Sequence, residues 1–265
     1  MRNYSQIKVE TSGGITTITL NRADKRNALS PGLIDEFVRA LENALEPECS
    51  VVILTGAGQS FCAGLDLEHL ESLSAEDEAG LRCDSENMAR ALRALFEFPK
   101  PVIAAVNGSA IAGGMSLATI ADFTLAVPEA KFGFNEVRVG FVPAIEASFL
   151  LRQVGEKRTR DLLLTGRMLK AQEAQQLGLV TQIVFAEELM QTARALAQGL
   201  LLNSPQAMQA TKRLLAIHAQ HRLDAEIEDA IEINAKHRST EDFREGVEAF
   251  LEHRKPCWPS KSAKI

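Results

Sequence analysis

Short stretches of apolar and β-branched residues alternate with polar turns at the start of the chain. Residues 7–10 and 15–20 predict two strands, and Gly13-Gly14 between them predicts a hairpin turn. Ser30-Pro31 then predicts the start of a helix, because serine caps a helix well and proline is tolerated in its first turn. The apolar positions that follow recur at helical spacing and predict an amphipathic helix: Leu33, Ile34, Phe37, Val38, Leu41 and Leu45.

Three continuous apolar runs follow, each short enough for a strand. Residues 51–55, 102–106 and 123–127 predict strands that are buried on both faces, as in a parallel sheet. Each run is followed by a turn and then by a helical stretch, so the sequence predicts an α/β core with crossover connections. From about residue 144 onward the pattern is mostly helical, with one late strand at 180–184.

Composition narrows the class of protein. The 265 residues are 46% hydrophobic and carry a net charge of -6, with acidic and basic residues mixed along the chain. No long basic run is present, which argues against nucleic acid as the main partner. No apolar stretch is long enough to cross a bilayer, and the first residues lack the apolar block of a secretory signal. The four cysteines are widely spaced, which favours reduced thiols in a cytoplasmic protein. The histidine spacing indicates no metal site.

Two glycine-containing turns, 61–67 and 107–118, are the first candidates for binding chemistry. A helix that begins at Gly113-Gly114 exposes backbone N–H groups, which can stabilise a phosphate or a developing oxyanion. The alternative is tight packing through small residues, because glycine lets backbones approach closely. No Gly-Lys-Ser or Gly-Lys-Thr follows these glycines, and no Gly-x-Gly-x-x-Gly follows the first strand. A nucleotide-binding loop is therefore not predicted.

Two carboxylates have apolar neighbours in the sequence. Glu136 lies within residues 130–137, and a carboxyl in such surroundings tends toward a raised pKa that suits proton transfer. A surface acid on a turn is an equally good interpretation from the sequence alone. Glu146 lies within residues 143–149, and for this residue an exposed position on a helix is the favoured interpretation.

Taken together, these segments resemble the enoyl-CoA hydratase/isomerase (crotonase) family over nearly the whole chain. The resemblance implies an α/β fold, a crotonase-like spiral of ββα units with a helical C-terminal region. It implies a catalytic acyl-CoA-binding core at 1–195 and a helical oligomerisation region at 196–265. A homotrimer or a dimer of trimers is the expected assembly. The motifs that carry the resemblance are residues 20–29, 61–67 and 100–108, Phe132-Gly133, Glu136, Gly140, Leu164-Thr165-Gly166, Ala174 and Gly178-Leu179-Val180.

The resemblance also implies a shared chemistry. The substrate is an acyl-CoA thioester, with coenzyme A as part of the substrate and no separate cofactor. The backbone N–H groups of Leu65 and Gly113 are expected to hold the thioester oxygen while an enolate forms, with Gly114 next to them. The residues expected to line the coenzyme A path are Lys25, Arg26, Ala28, Ala63, Asp66 and Leu67, and Gly114 is expected to contact the substrate as well.

One departure from the family pattern affects the choice of reaction. Hydratases of the family use two glutamates, and Glu136 corresponds to one of them, whereas Ser116 occupies the position of the other. A serine hydroxyl orients water but is not a general base near neutral pH. The first hypothesis is therefore isomerisation of a 3-enoyl-CoA, with Glu136 as the proton shuttle. The alternatives are 2-enoyl-CoA hydration assisted by Ser116 or Glu146, C–C cleavage, thioester hydrolysis, or a non-catalytic acyl-CoA-binding scaffold.

Overall fold

A computed structural model of the protein describes residues 4–73 and 76–262. The strands are β1 (Ile7–Ser12), β2 (Ile15–Leu20), β3 (Val51–Gly56), β4 (Ser60–Cys62), β5 (Val102–Val106), β6 (Ser109–Ile111), β7 (Phe123–Ala126), β8 (Lys131–Gly133), β9 (Leu169–Lys170) and β10 (Gln182–Ile183). The helices are α1 (Pro31–Asn43), α2 (Leu67–Leu73), α3 (Glu78–Phe96), α4 (Gly113–Ile120), α5 (Ala144–Val154), α6 (Glu156–Thr165), α7 (Ala171–Gln176), α8 (Leu189–Leu201), α9 (Pro205–Arg238), α10 (Glu241–Leu251) and α11 (Pro259–Ser262). Short 3-10 helices span Ala23–Lys25 and Glu136–Val139.

The larger sheet has the strand order β1-β2-β3-β5-β7-β10. The first two strands form the predicted hairpin, in which Gly13 and Gly14 adopt φ values of +58° and +81°. The remaining neighbours are parallel, and every residue of β3 and β5 is buried, as continuous apolar runs predict. The Ser30 side chain caps α1 by accepting a hydrogen bond from the Leu33 amide at 3.2 Å.

A second, four-stranded sheet has the strand order β4-β6-β8-β9. The chain places one strand in the large sheet, the next strand in the second sheet, and then a helix. This unit occurs as β3-β4-α2, β5-β6-α4 and β7-β8-α5. The predicted α/β class, with a spiral of ββα units, is confirmed.

The helical C-terminal part packs on the same core as the sheets. The predicted boundary after residue 195 falls within α8, where Ala193 and Ala197 on either side of it are both fully buried. The long helix α9 adds Leu223 and Ile227 to the main hydrophobic core. Among the described residues, no helix is both long enough and apolar enough to cross a membrane.

Candidate active site

Two turns that are distant in the sequence are held side by side. The Leu29 amide donates to the Gly64 carbonyl at 2.7 Å, and the Ala63 amide donates to the Arg26 carbonyl at 3.0 Å. Asn27, fully buried at the centre of the first turn, donates to the carbonyls of Ala57 and Ser60 at 2.9 and 2.8 Å. These bonds hold the turn at 25–29 against the turn at 63–66. Both turns carry residues that were expected along the coenzyme A path.

The second glycine turn reaches the same place from the neighbouring strand, because β6 runs parallel to β4. Gly64 has a φ of +90°, and a Cβ on it would lie 2.8 Å from the Ala112 Cβ. Ala112 itself has a φ of 52°, a strained value for an alanine, immediately before α4. A Cβ on Gly114 would lie 2.5 Å from the carbonyl oxygen of Cys62. Glycine at positions 64 and 114 therefore allows the start of α4 to contact the turn after β4.

This contact brings together two backbone amides that lack an acceptor. In the first turn of α4 the amides of Met115 and Ser116 already bond to the Ala112 carbonyl, at 2.8 and 3.2 Å. Within residues 4–73 and 76–262, the amides of Leu65 and Gly113 donate no hydrogen bond. Free N–H groups at a helix start and on an adjacent turn are the donors that an oxyanion needs.

Leu65 and Gly113 both line a cavity of about 110 Å³, which has room for a short acyl chain or several water molecules. Its walls are mainly apolar, with a few polar groups, as in most small-molecule sites. The lining residues are Ala63, Leu65, Leu70, Met88, Ala112, Gly113, Asn135, Glu136, Val139, Phe141, Ile145, Glu146, Asn234, Arg238 and Phe250.

Glu136 lies in this cavity wall rather than on the surface. It begins the 3-10 helix at Glu136–Val139 and is only 5% exposed. Neither of its carboxyl oxygens has a hydrogen-bond partner among the described residues. Burial raises its pKa well above the usual value, and the charge of Glu146 raises it further. A carboxyl of this kind is suited to proton transfer near neutral pH.

Glu146 contradicts the expectation of an exposed helix position. It lies in the first turn of α5, is 5% exposed and lines the same cavity as Glu136. Its Oε2 atom has no partner among the described residues, and burial raises its pKa. The expectation was wrong because the sequence does not show that α9 packs over α5. The cavity wall therefore contains two buried carboxyl groups, Glu136 and Glu146.

The wall contributed by α9 was not predicted. Asn234 and Arg238 are four residues apart and therefore share one helix face. Arg238 is 4% exposed, and its Nη1 atom donates to Asp84 at 2.5 Å. Asp84 also contacts the His69 ring, and the Arg238 guanidinium lies 4.7 Å from the centre of the Phe141 ring. The four-residue spacing was the only available signal.

Ser116 is not brought into the cavity. It is 2% exposed on α4, it does not line the cavity, and its hydroxyl has no partner among the described residues. The structure therefore gives no support to Ser116 as the group that orients water. Gly114, which follows Gly113, supports the contact with Cys62 instead of lining the cavity.

The residues expected along the coenzyme A path lie on the paired turns. Lys25 and Arg26 are exposed there, and Lys25 forms an ion pair with Glu68. Ala28 is buried, and Ala63 lines the cavity.

Asp66 has an internal role in this region. Its carboxylate pairs with Arg22 at 2.7 Å and accepts from the Glu68 amide at 3.0 Å, so it caps α2. These bonds hold the turn that carries Leu65. Leu67 begins α2, and its side chain lies outside the described part of the structure.

Comparison with known proteins places these features in a family. The model of the enoyl-CoA hydratase/isomerase family matches residues 10–261. The short-chain-enoyl-CoA hydratase of Clostridium acetobutylicum is 33% identical over 256 residues, which cover 95% of this chain and 96% of that protein. The mitochondrial enoyl-CoA hydratase of Pongo abelii is 35% identical over 231 residues, which cover 85% and 75%. The crystal structure of an enoyl-CoA hydratase/isomerase from Xanthobacter autotrophicus Py2 superimposes with a TM-score of 0.87 at 30% identity, covering 95% of this chain and 98% of that one. The chain belongs to the enoyl-CoA hydratase/isomerase family and is an enzyme of that family, a hydratase or an isomerase.

Proposed function

We propose that the protein hydrates 2-enoyl-CoA thioesters, with Glu136 and Glu146 as its acid–base pair. The observation that carries this proposal is the presence of both buried carboxyl groups in the cavity that Leu65 and Gly113 also line. The hydratase names of the Clostridium acetobutylicum and Pongo abelii relatives support the same reaction.

In this mechanism the two amides hold the thioester oxygen as negative charge develops on it. A good donor of this kind contributes about 3 kcal/mol to transition-state stabilisation. Glu146 takes a proton from the water molecule whose oxygen adds to carbon three. Glu136 gives a proton to carbon two, and the proton on Glu146 then restores Glu136. Neighbouring buried carboxyl groups favour a state with one shared proton, which supplies both an acid and a base.

A second candidate is isomerisation of 3-enoyl-CoA to 2-enoyl-CoA, with Glu136 removing and returning one proton. The observation that favours it is Ser116, which occupies the position of a family glutamate and contributes no acid to the cavity. This reaction needs one base and no water molecule.

The two candidates are separated by incubating the enzyme with trans-2-butenoyl-CoA in water enriched in heavy oxygen, and separately with trans-3-hexenoyl-CoA. Hydration predicts that trans-2-butenoyl-CoA gives a 3-hydroxyacyl-CoA that carries the heavy oxygen of the water. A labelled 3-hydroxyacyl-CoA forms from trans-3-hexenoyl-CoA only if the enzyme also isomerises that substrate. Glu146→Gln should then lower hydration by about 10²–10⁴-fold, whereas Glu136→Gln should abolish both reactions.

Glu156→Gln, an exposed acid on α6, is the matched control and should match the wild type. Accumulation of trans-2-hexenoyl-CoA without any hydroxyacyl product would instead establish isomerisation. If neither reaction occurs and the thioesters still bind, the protein is a non-catalytic acyl-CoA-binding scaffold.

The proposal includes a homotrimer or a dimer of trimers, in which 196–265 contributes to the contacts between subunits. An apolar groove between α5, α6 and α9 supports this assembly, because it exposes 72% of Leu164 and 54% of Ile233. Sedimentation velocity of the wild type and of Leu164→Lys tests it, with dissociation expected for the variant. The proposal assigns a cytoplasmic location and no separate cofactor, with coenzyme A entering as part of the substrate.

A further inference from the structure

Arg238 is the one cation among the described residues that line the cavity. Arg238 is only 4% exposed, and it lines the cavity alongside Phe141 and Ile145. Burying a guanidinium is costly unless each of its donors finds an acceptor. The hydrogen bonds that Arg238 makes therefore decide what else it can bind.

Only part of the guanidinium is used within the protein. Nη1 donates to Asp84, whereas Nε is buried without any partner in the described structure. No hydrogen bond from Nη2 to a described residue is observed either. Nε and Nη2 form one edge of the planar fork, and this edge matches the two oxygens of a carboxylate.

No neighbouring group of the cavity fills this edge. The Oε2 atom of Glu146 lacks a partner of its own, so the two side chains are not joined through it. The Asn234 amide is already committed, because it donates to the Val142 carbonyl at 2.9 Å and accepts from the Ser85 hydroxyl at 2.9 Å. The Phe141 ring lies 4.7 Å from the guanidinium carbon and holds the plane by a cation–π contact.

We propose that the free edge of Arg238 binds a carboxylate carried by the acyl chain, so that the preferred substrates are CoA thioesters of short dicarboxylic acids. This inference rests on the proposed acyl-CoA function, because the Leu65 and Gly113 amides hold the thioester end. Arg238 comes from α9 and lines the same cavity, where its charge opposes the rise that burial causes in the pKa of Glu146. A chain that ends in a methyl group would leave the buried Nε–H unpaired.

A purely structural role for Arg238 makes a different prediction. The Arg238–Asp84 pair joins α9 to α3, and loss of that link would weaken binding of every ligand equally. The pair between Arg82 and Glu228 joins the same two helices outside the cavity, with 41% of the Arg82 side chain exposed. Arg82→Gln is therefore the matched control for the helix contact.

The test measures binding rather than turnover, so that an error in the proposed reaction does not obscure it. Isothermal titration gives the affinities of adipyl-CoA and hexanoyl-CoA, which are saturated thioesters of equal length. Wild-type protein should bind adipyl-CoA more tightly. Arg238→Gln should bind adipyl-CoA about 10- to 100-fold more weakly than the wild type does, whereas its affinity for hexanoyl-CoA should change little. Arg238→Lys should recover only part of it, since an ammonium group lacks the fork.

A double variant guards against misfolding of Arg238→Gln. Asp84→Asn with Arg238→Gln removes both charges of the pair together, and it should show the same loss of preference as the single variant. Equal affinity of the wild type for the two thioesters would overturn the proposal, as would parallel losses for both in Arg238→Gln. Tight binding of neither thioester would overturn the acyl-CoA function as well.

Discussion

Glu146 lies close enough to Glu136 for its charge to raise a pKa that burial has already raised. The two carboxyl groups come from the 3-10 helix at 136–139 and from the first turn of α5, on either side of the turn that ends in Pro143. Because neither Glu136 oxygen has a partner among the described residues, its proton is free to move to a bound substrate. Substitution of either carboxyl group is therefore the most direct test of the site.

Removal of the Glu146 charge should lower the pKa of Glu136. Exchange of the C2 hydrogens of butyryl-CoA with deuterated water requires ionised Glu136, so its rate rises as the pH passes through that pKa. In Glu146→Gln this rise should move to lower pH, and NMR measurement of the exchange rate across pH 5–9 follows it. Glu156→Gln should leave the profile in place. An unchanged profile in Glu146→Gln would show that the two carboxyls do not interact.

The raised pKa of Glu136 also makes folding stability depend on pH. Below the ordinary value of 4.5 the carboxyl is protonated in both the folded and the unfolded chain. As the pH rises above that value, the unfolded chain releases the proton while the folded protein retains it, so stability is lost until the folded pKa is passed. Glu136→Gln does not titrate and should be more stable than the wild type at pH 8.

This advantage should shrink toward pH 4. Urea unfolding at both pH values measures the difference in the free energy of unfolding. A variant advantage that is equal at pH 4 and pH 8 would mean that packing, and not ionisation, causes it.

Gly114→Ala should destabilise the protein and slow the reaction together. The new Cβ would lie 2.5 Å from the Cys62 carbonyl oxygen, so α4 must shift relative to the turn that carries Leu65. Overpacking of this kind costs about 1–3 kcal/mol of unfolding free energy. Thermal unfolding and steady-state hydration rates measure both effects.

Gly199→Ala is the control for the glycine substitution. Gly199 lies in α8 with no atom within 4 Å of the added Cβ, and alanine there should stabilise the helix by about 0.5–1 kcal/mol. If Gly114→Ala behaved like Gly199→Ala, close contact of the two turns would not be a requirement of the fold.

Ser116→Ala should leave the hydration rate within about twofold of the wild-type rate, because the hydroxyl does not line the cavity. The hydroxyl is buried without a partner among the described residues, so its removal should be neutral or slightly stabilising. Steady-state kinetics with trans-2-butenoyl-CoA decide the matter. A loss of 100-fold or more would return Ser116 to a direct role in water activation.

Local patterns predicted the parts of the fold that depend on neighbouring residues in the sequence. The hairpin, the Ser30 cap and the buried parallel strands were visible because apolar periodicity and turn residues specify them. The second sheet was not visible, because strands of three residues such as Ser60–Cys62 are too short to show a period.

The site was predictable only where it follows from the chain's own turns. The resemblance pointed to Leu65 and Gly113, and both line the cavity with free amides among the described residues. The burial of Glu146 and the presence of Arg238 in the cavity wall were not predicted for one physical reason: burial of a charged helix residue depends on which helix packs over it. A single sequence shows the faces of α5 and α9 but not their partners.

The cavity draws its walls from two separate stretches of the chain. The amides and the acids come from 65–146, whereas Asn234, Arg238 and Phe250 come from the last long helices. Under the proposed function, the reacting groups and the recognition wall are encoded apart, so substitutions in α9 and α10 change the acyl group that fits while the amides and the two carboxyl groups are retained. The same architecture can therefore evolve new substrates by mutation of its C-terminal helices alone, and it offers those helices as the place to begin redesign.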